Sequence, residues 1–106
     1  MKKKLIKIRY FILVIFVLFL QGANADDLFD KGKKIFLGDS NCATCHTLQD
    51  ANSNGNIGPN LDMLKPDMVR VISAVTNGIG VMPAYEGQLS TEEIQAVANY
   101  VAESTN

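Results

Sequence analysis

The stretch Cys42-Ala43-Thr44-Cys45-His46 holds both cysteines and the only histidine of a 106-residue chain. Cys-x-x-Cys-His is the spacing of covalent haem attachment. Two intervening residues let both sulfurs reach the vinyl groups along one edge of a single ring. The adjacent imidazole then lies under the iron as its proximal ligand. Three other uses of the cysteines are weaker. A disulfide between Cys42 and Cys45 would close a very short loop and constrain almost nothing. A thioredoxin-like redox pair needs a strand–helix–strand setting, which the flanking sequence lacks. A structural zinc site wants four good ligands, more than the Cys and His of this chain provide.

With one histidine, bis-histidine ligation within the chain is excluded, leaving a thioether, a lysine or an open sixth position. Met82 lies in Gly78-Ile79-Gly80-Val81-Met82-Pro83, where glycines allow close backbone approach and proline stiffens the far side. A loop-borne thioether suits iron, so Met82 leads. Met63 and Met68 are the alternatives, the latter on an apolar helix face where methionine is ordinarily packing.

Outward from this centre, helical patterns dominate and no strand alternation stands out. The first helix is predicted over Leu28–Leu37, with Asp26 and Asp27 offering N-caps and negative charge at the positive helix end, and Leu28, Gly32, Ile35 and Phe36 on one side. The second is predicted from Pro66 to about Thr76, lined by Met68, Val71, Ile72 and Val75 and ended by Asn77-Gly78. The third opens on a Ser90-x-x-Glu93 capping box and carries Ile94, Val97, Ala98 and Val101 as its stripe. The linkers 50–60 and 78–89 are rich in Gly, Asn and Pro and need something to wrap around. Three helices this thin in apolar residues call for a cofactor in the core.

Charge divides the chain in two. Residues 1–25 carry five basic residues and no acid, whereas residues 26–106 carry five bases against eleven acids. An acidic domain of this kind excludes a nucleic-acid binder, and its length excludes a barrel or a doubly wound sheet. The leader 1–25 reads as a signal peptide: Lys2, Lys3, Lys4, Lys7 and Arg9, the apolar run Phe11–Leu20, then Ala23-Asn24-Ala25. Ten helical residues span about 15 Å, roughly half of a bilayer core. The other reading is an uncleaved anchor starting at Leu5, with Lys7 and Arg9 snorkelling to the headgroups. The Ala-x-Ala site and the break at Gln21-Gly22 weigh against it. Cleavage leaves a domain of residues 26–106 with no membrane span, in an oxidising exported compartment.

The ordered set Gly32-x-x-x-Phe36, Cys42-x-x-Cys45-His46, Gly58-Pro59-x-Leu61, Met82-Pro83-Ala84-Tyr85 and Tyr100 resembles the small monohaem class I cytochromes c of the bacterial and algal short-chain type. The resemblance covers essentially all of residues 26–106. It implies an all-α cytochrome c fold, three main helices and loops wrapped around one covalent haem c. The first and last helices would cross closely, with Gly32 against Tyr100. By the same resemblance Cys42 and Cys45 attach the haem, and His46 and Met82 ligate its iron. The Pro59 carbonyl accepts the second ring N–H of His46, and Leu61 packs on the haem face. Ile57, Met68, Val71, Ile79 and Val81 complete the wrapping, and Tyr85 and Asn60 are candidates for the propionates.

What this implies is a periplasmic carrier of single electrons with no substrate chemistry, hence not an enzyme. Its partners would be redox proteins with a basic docking patch, met as a monomer or in transient complexes. Two alternatives stay open: a haem sensor or ligand binder with an open sixth site, and the docked cytochrome subunit of a dehydrogenase.

Overall fold

The computed structural model describes residues 2–19 and 25–106. Helix α1 spans Lys2–Phe19, and its described side chains, Ile6 to Val14 among them, are exposed. No helix among the described residues is long and apolar enough to cross a membrane. Leu20 and most of the expected cleavage site, Ala23-Asn24, lie outside the described residues.

The remaining helices are α2 (Ala25–Leu37), α3 (Cys42–Cys45), α4 (Leu61–Leu64), α5 (Met68–Asn77) and α6 (Thr91–Thr105). The fold is all-α in substance, with α2, α5 and α6 as its three main helices. Helix α2 begins three residues earlier than the apolar pattern implied. Asp26 and Asp27 therefore sit inside its first turn, opposing the positive helix end by charge rather than capping it. Helix α5 begins two residues later than expected. The Asp67 carboxylate accepts from the Arg70 N–H at 2.8 Å, a better start than Pro66 offers. Pro66 is instead buried in the turn that Lys65 opens at φ 48°. The capping box of α6 forms as read, Ser90 and Glu93 exchanging bonds of 3.0 and 3.1 Å.

Two features escaped the sequence pattern. Thr47–Leu48 (β1) and Ser53–Asn54 (β2) pair antiparallel around a 3₁₀ turn at Gln49–Ala51. The short helix α4 is capped by Asn60, whose side chain accepts from the Met63 N–H. Both elements are too short for a periodicity to be visible.

Helix α6 is the hub, packing along α2 on one side and α5 on the other. At the α2–α6 crossing, a Cβ on Gly32 would fall on the Ala96 carbonyl oxygen and 2.6 Å from Tyr100 Cβ. The absent side chain is what lets the two backbones approach. Phe29 and Phe36 close the flanks edge-on to the Tyr100 ring, at centroid distances of 4.9 and 5.7 Å. Tyr100 is fully buried, yet its hydroxyl reaches Asp50 Oδ2 at 2.7 Å, where Lys33 also arrives at 3.2 Å. The core continues through Leu48, Val71, Val75, Ile94, Val97 and Val101.

Candidate functional site

Asn41, at φ 60°, turns the chain into the single helical turn α3, and His46 leaves it with an extended backbone. The His46 N–H closes that turn on the Cys42 carbonyl at 3.0 Å. One turn of helix brings the two cysteines, three apart in sequence, to neighbouring faces. Both are free and half-buried. Burial pushes the Cys42 thiol up to about 11. A reactive thiol of a redox-active Cys-x-x-Cys pair requires the opposite displacement, so Cys42 is a poor candidate for exchange chemistry.

The imidazole of His46 is held from two directions. Its Nδ1 lies 2.7 Å from the Pro59 carbonyl oxygen. That oxygen can only accept, so Nδ1 carries the proton and the Nε2 lone pair is left free to bind a metal. Gly58 lies flat against the ring: a Cβ there would come within 2.5 Å of Cε1 and 2.8 Å of Nδ1. The Gly58 N–H also donates to the Cys45 carbonyl at 2.8 Å, tying residues 58–59 to the cysteine turn. The sequence marks Gly58 as a chain breaker and as part of the Gly58-Pro59-x-Leu61 motif, without a role against the imidazole. Its packing against the imidazole depends on a tertiary contact that no local pattern reports.

Met82 is half-buried against the apolar core. Its loop is a closed turn in which Ile79 and Met82 exchange backbone hydrogen bonds of 3.1 and 2.9 Å. Gly78, at φ 72°, leaves α5; a side chain there would meet the Met82 carbonyl oxygen at 2.6 Å. Met63 is 82% exposed on α4, and Met68 is half-buried at the start of α5.

The expected wrapping residues divide into two groups. Leu61 and Val71 are buried and Met68 partly so, within the polypeptide's own core. Ile57, Ile79 and Val81 stand 64, 68 and 86% exposed on the segments that carry Gly58 and Met82. Large aliphatic side chains left in water on those segments fit the chain to a bulky apolar group that they would cover. The donor set agrees, with two unpaired thiols, one imidazole with a free Nε2 and thioethers at Met63, Met68 and Met82. Of the two residues expected near the propionates, the Tyr85 hydroxyl donates to the Ser40 carbonyl, and the Asn60 side-chain oxygen caps α4, which leaves the Asn60 side-chain N–H groups as donors.

A sequence profile described as "Cytochrome C oxidase, cbb3-type, subunit III" matches residues 27–101. Cytochrome c6 of Pyropia yezoensis is 40% identical over 110 residues, covering 95% of this chain and 93% of that protein. Cytochrome c6 of Microcystis aeruginosa is 37% identical over 78 residues, covering 66% and 89% respectively. Among solved structures, the c-type cytochrome SorU from Sinorhizobium meliloti superposes with a TM-score of 0.72 at 56% identity. That match covers 76% of this chain and 93% of SorU. The chain belongs to the class I cytochromes c. As a small monohaem member it carries covalently bound haem c and serves as an electron carrier. The Cys42/Cys45 pair of this cytochrome suits a Cys-x-x-Cys-His site of attachment.

Proposed function

We propose that this cytochrome passes single electrons between redox proteins in the periplasm, after removal of residues 1–25, on an iron ligated by His46 and Met82. The observation that supports the ligation is the 2.7 Å bond from His46 Nδ1 to the Pro59 carbonyl, because it leaves the opposite nitrogen with a free lone pair for a metal. Haem c supplies a one-electron iron couple. The chain's own residues do the rest. Cys42 and Cys45 fix the ring edge, His46 offers Nε2, and Gly58 and Pro59 keep the imidazole from rotating. Leu61 packs toward the ring. Met82 presents a neutral thioether, which favours ferrous iron and raises the potential. If His46 and Met82 both held the iron, no position would be left for a substrate, which supports a carrier rather than an enzyme. The alignment of its acidic surface with a basic patch on a partner guides encounter.

Replacement of Met82 by alanine tests the ligation. Expected are loss of the far-red sulfur-to-iron band of the ferric protein, a lower reduction potential and new carbon monoxide binding to the ferrous form. Met63→Leu and Met68→Leu should retain the band. Persistence of the band in Met82→Ala would transfer the role to another methionine. Carbon monoxide binding by the unaltered protein would favour a ligand-binding haem instead.

A further inference from the structure

The turn that carries Met82 has a well-defined shape, but its internal hydrogen bonds do not fix where it sits. The Ile79–Met82 pair closes the turn on itself, and the Gly78 N–H reaches only the end of α5, at the Ala74 carbonyl. On the far side stands Tyr85, three residues after Met82, which makes every remaining connection. Its N–H donates to the Val75 carbonyl at 2.8 Å, and its own carbonyl accepts from Gln88 and Leu89, both at 2.9 Å. Its ring is buried, 9% exposed, and its hydroxyl donates to the carbonyl of Ser40, two residues before Cys42. Among the described residues this is the only hydrogen bond joining segment 78–89 to the segment 38–60 that carries Cys42, Cys45, His46 and Pro59.

We propose that Tyr85 is a positioning residue: its hydroxyl, anchored on Ser40, sets the separation between the Met82 loop and the attachment turn. The proposal rests on Met82 being the sixth ligand. A thioether is a neutral, weak donor, weakest toward ferric iron, so its occupancy depends on the loop holding it in place. Tyr85 bolts the loop to α5 through the backbone and to the cysteine side through the hydroxyl. Loss of the hydroxyl leaves the first connection and removes the second. The loop would keep its shape and its root on α5 but gain freedom to move away from the cysteine turn. An external ligand then competes with Met82 on better terms. A partly buried hydrogen bond of this kind contributes about 0.5–1.5 kcal/mol net, which corresponds to roughly two- to tenfold in a competition equilibrium.

The test is Tyr85→Phe in the haem-loaded protein, with imidazole as the competing ligand and the far-red band as the readout. Phenylalanine keeps the ring and the packing, so covalent haem and helical circular dichroism should be unchanged. Imidazole should displace the band at a two- to tenfold lower concentration than in the unaltered protein, and the reduction potential should fall. Tyr100→Phe is the control, since it also loses a hydroxyl hydrogen bond, to Asp50, on the α2–α6 side. It should leave imidazole affinity unchanged. Equal affinity in Tyr85→Phe and the unaltered protein overturns the proposal, and so does an equal gain in both variants, which would reflect general loosening. Met82→Ala in parallel separates the two claims. If the band survives in Met82→Ala, the ligand assignment has failed; if it is lost there while Tyr85→Phe is unaltered, only the role of Tyr85 has.

Discussion

At the scale of single residues, the chemistry is carried by a few atoms whose freedom has been removed. Gly58 shows how tightly. A methyl group there would press within 2.5 Å of His46 Cε1, while Pro59 holds the same ring at Nδ1. The imidazole cannot yield without losing that bond. Gly58→Ala is therefore expected to destabilise the haem-loaded protein by about 1–3 kcal/mol, and to shift the reduction potential by rotating the imidazole. Chemical denaturation and potentiometry check both. The sequence singles out the cysteines, His46 and Met82 on local signals: a fixed spacing, a single histidine, one loop-borne methionine. It made the partners of Tyr85 illegible, because Ser40 lies 45 residues away and offers only a backbone carbonyl. A carbonyl has no side-chain signature.

At the scale of elements, the crossing of α2 with α6 is the contact most sensitive to a small change. Gly32→Ala places a methyl against the Ala96 backbone carbonyl, which unlike a side chain cannot rotate aside. The two helices must separate, and the Tyr100 ring loses contact with Phe29 and Phe36. A loss of about 3 kcal/mol is expected, seen as a lower denaturant midpoint. Ser90→Ala, which removes one half of the α6 capping box, should cost about 1 kcal/mol and leave the spectrum unaltered. Helix existence and facing were legible from spacing, as Phe36, Val71, Val75, Val97 and Val101 show. Helix starts were less so. Asp67 outcompetes Pro66 because a carboxylate can satisfy an orphan N–H and a proline ring cannot. The β1–β2 pair was out of reach, since two residues per strand carry no alternation to read.

For the whole molecule, charge and connectivity matter more than any one contact. The Tyr100 hydroxyl first, and then Lys33, hold the Asp50 carboxyl below its usual range. A depressed carboxyl contributes stability that is fully present above its unfolded value of about 3.9 and is lost as pH falls toward the folded one. The stability gap between the unaltered protein and Asp50→Asn should thus be constant at neutral pH and narrow below about pH 4. Burial, reinforced by Asp50, raises Tyr100, so a second loss of stability is expected as pH climbs past about 10. Residues 26–106 carry eleven acids against five bases, and electron transfer to a partner with a basic patch should slow as salt rises. Stopped-flow rates across a salt series check this; rates flat with salt would mean that apolar contact governs encounter. The α2–α6 contact also sets an order of events during folding. Gly32 and Tyr100 lie near opposite ends of residues 26–106, so the core cannot close until α6 has docked. Contacts of such wide separation in sequence form slowly, because the intervening loop must close first. Cys42 and Cys45 lie between the two helices in sequence, so covalent attachment before α6 docks is expected to leave the chain free to close around the group.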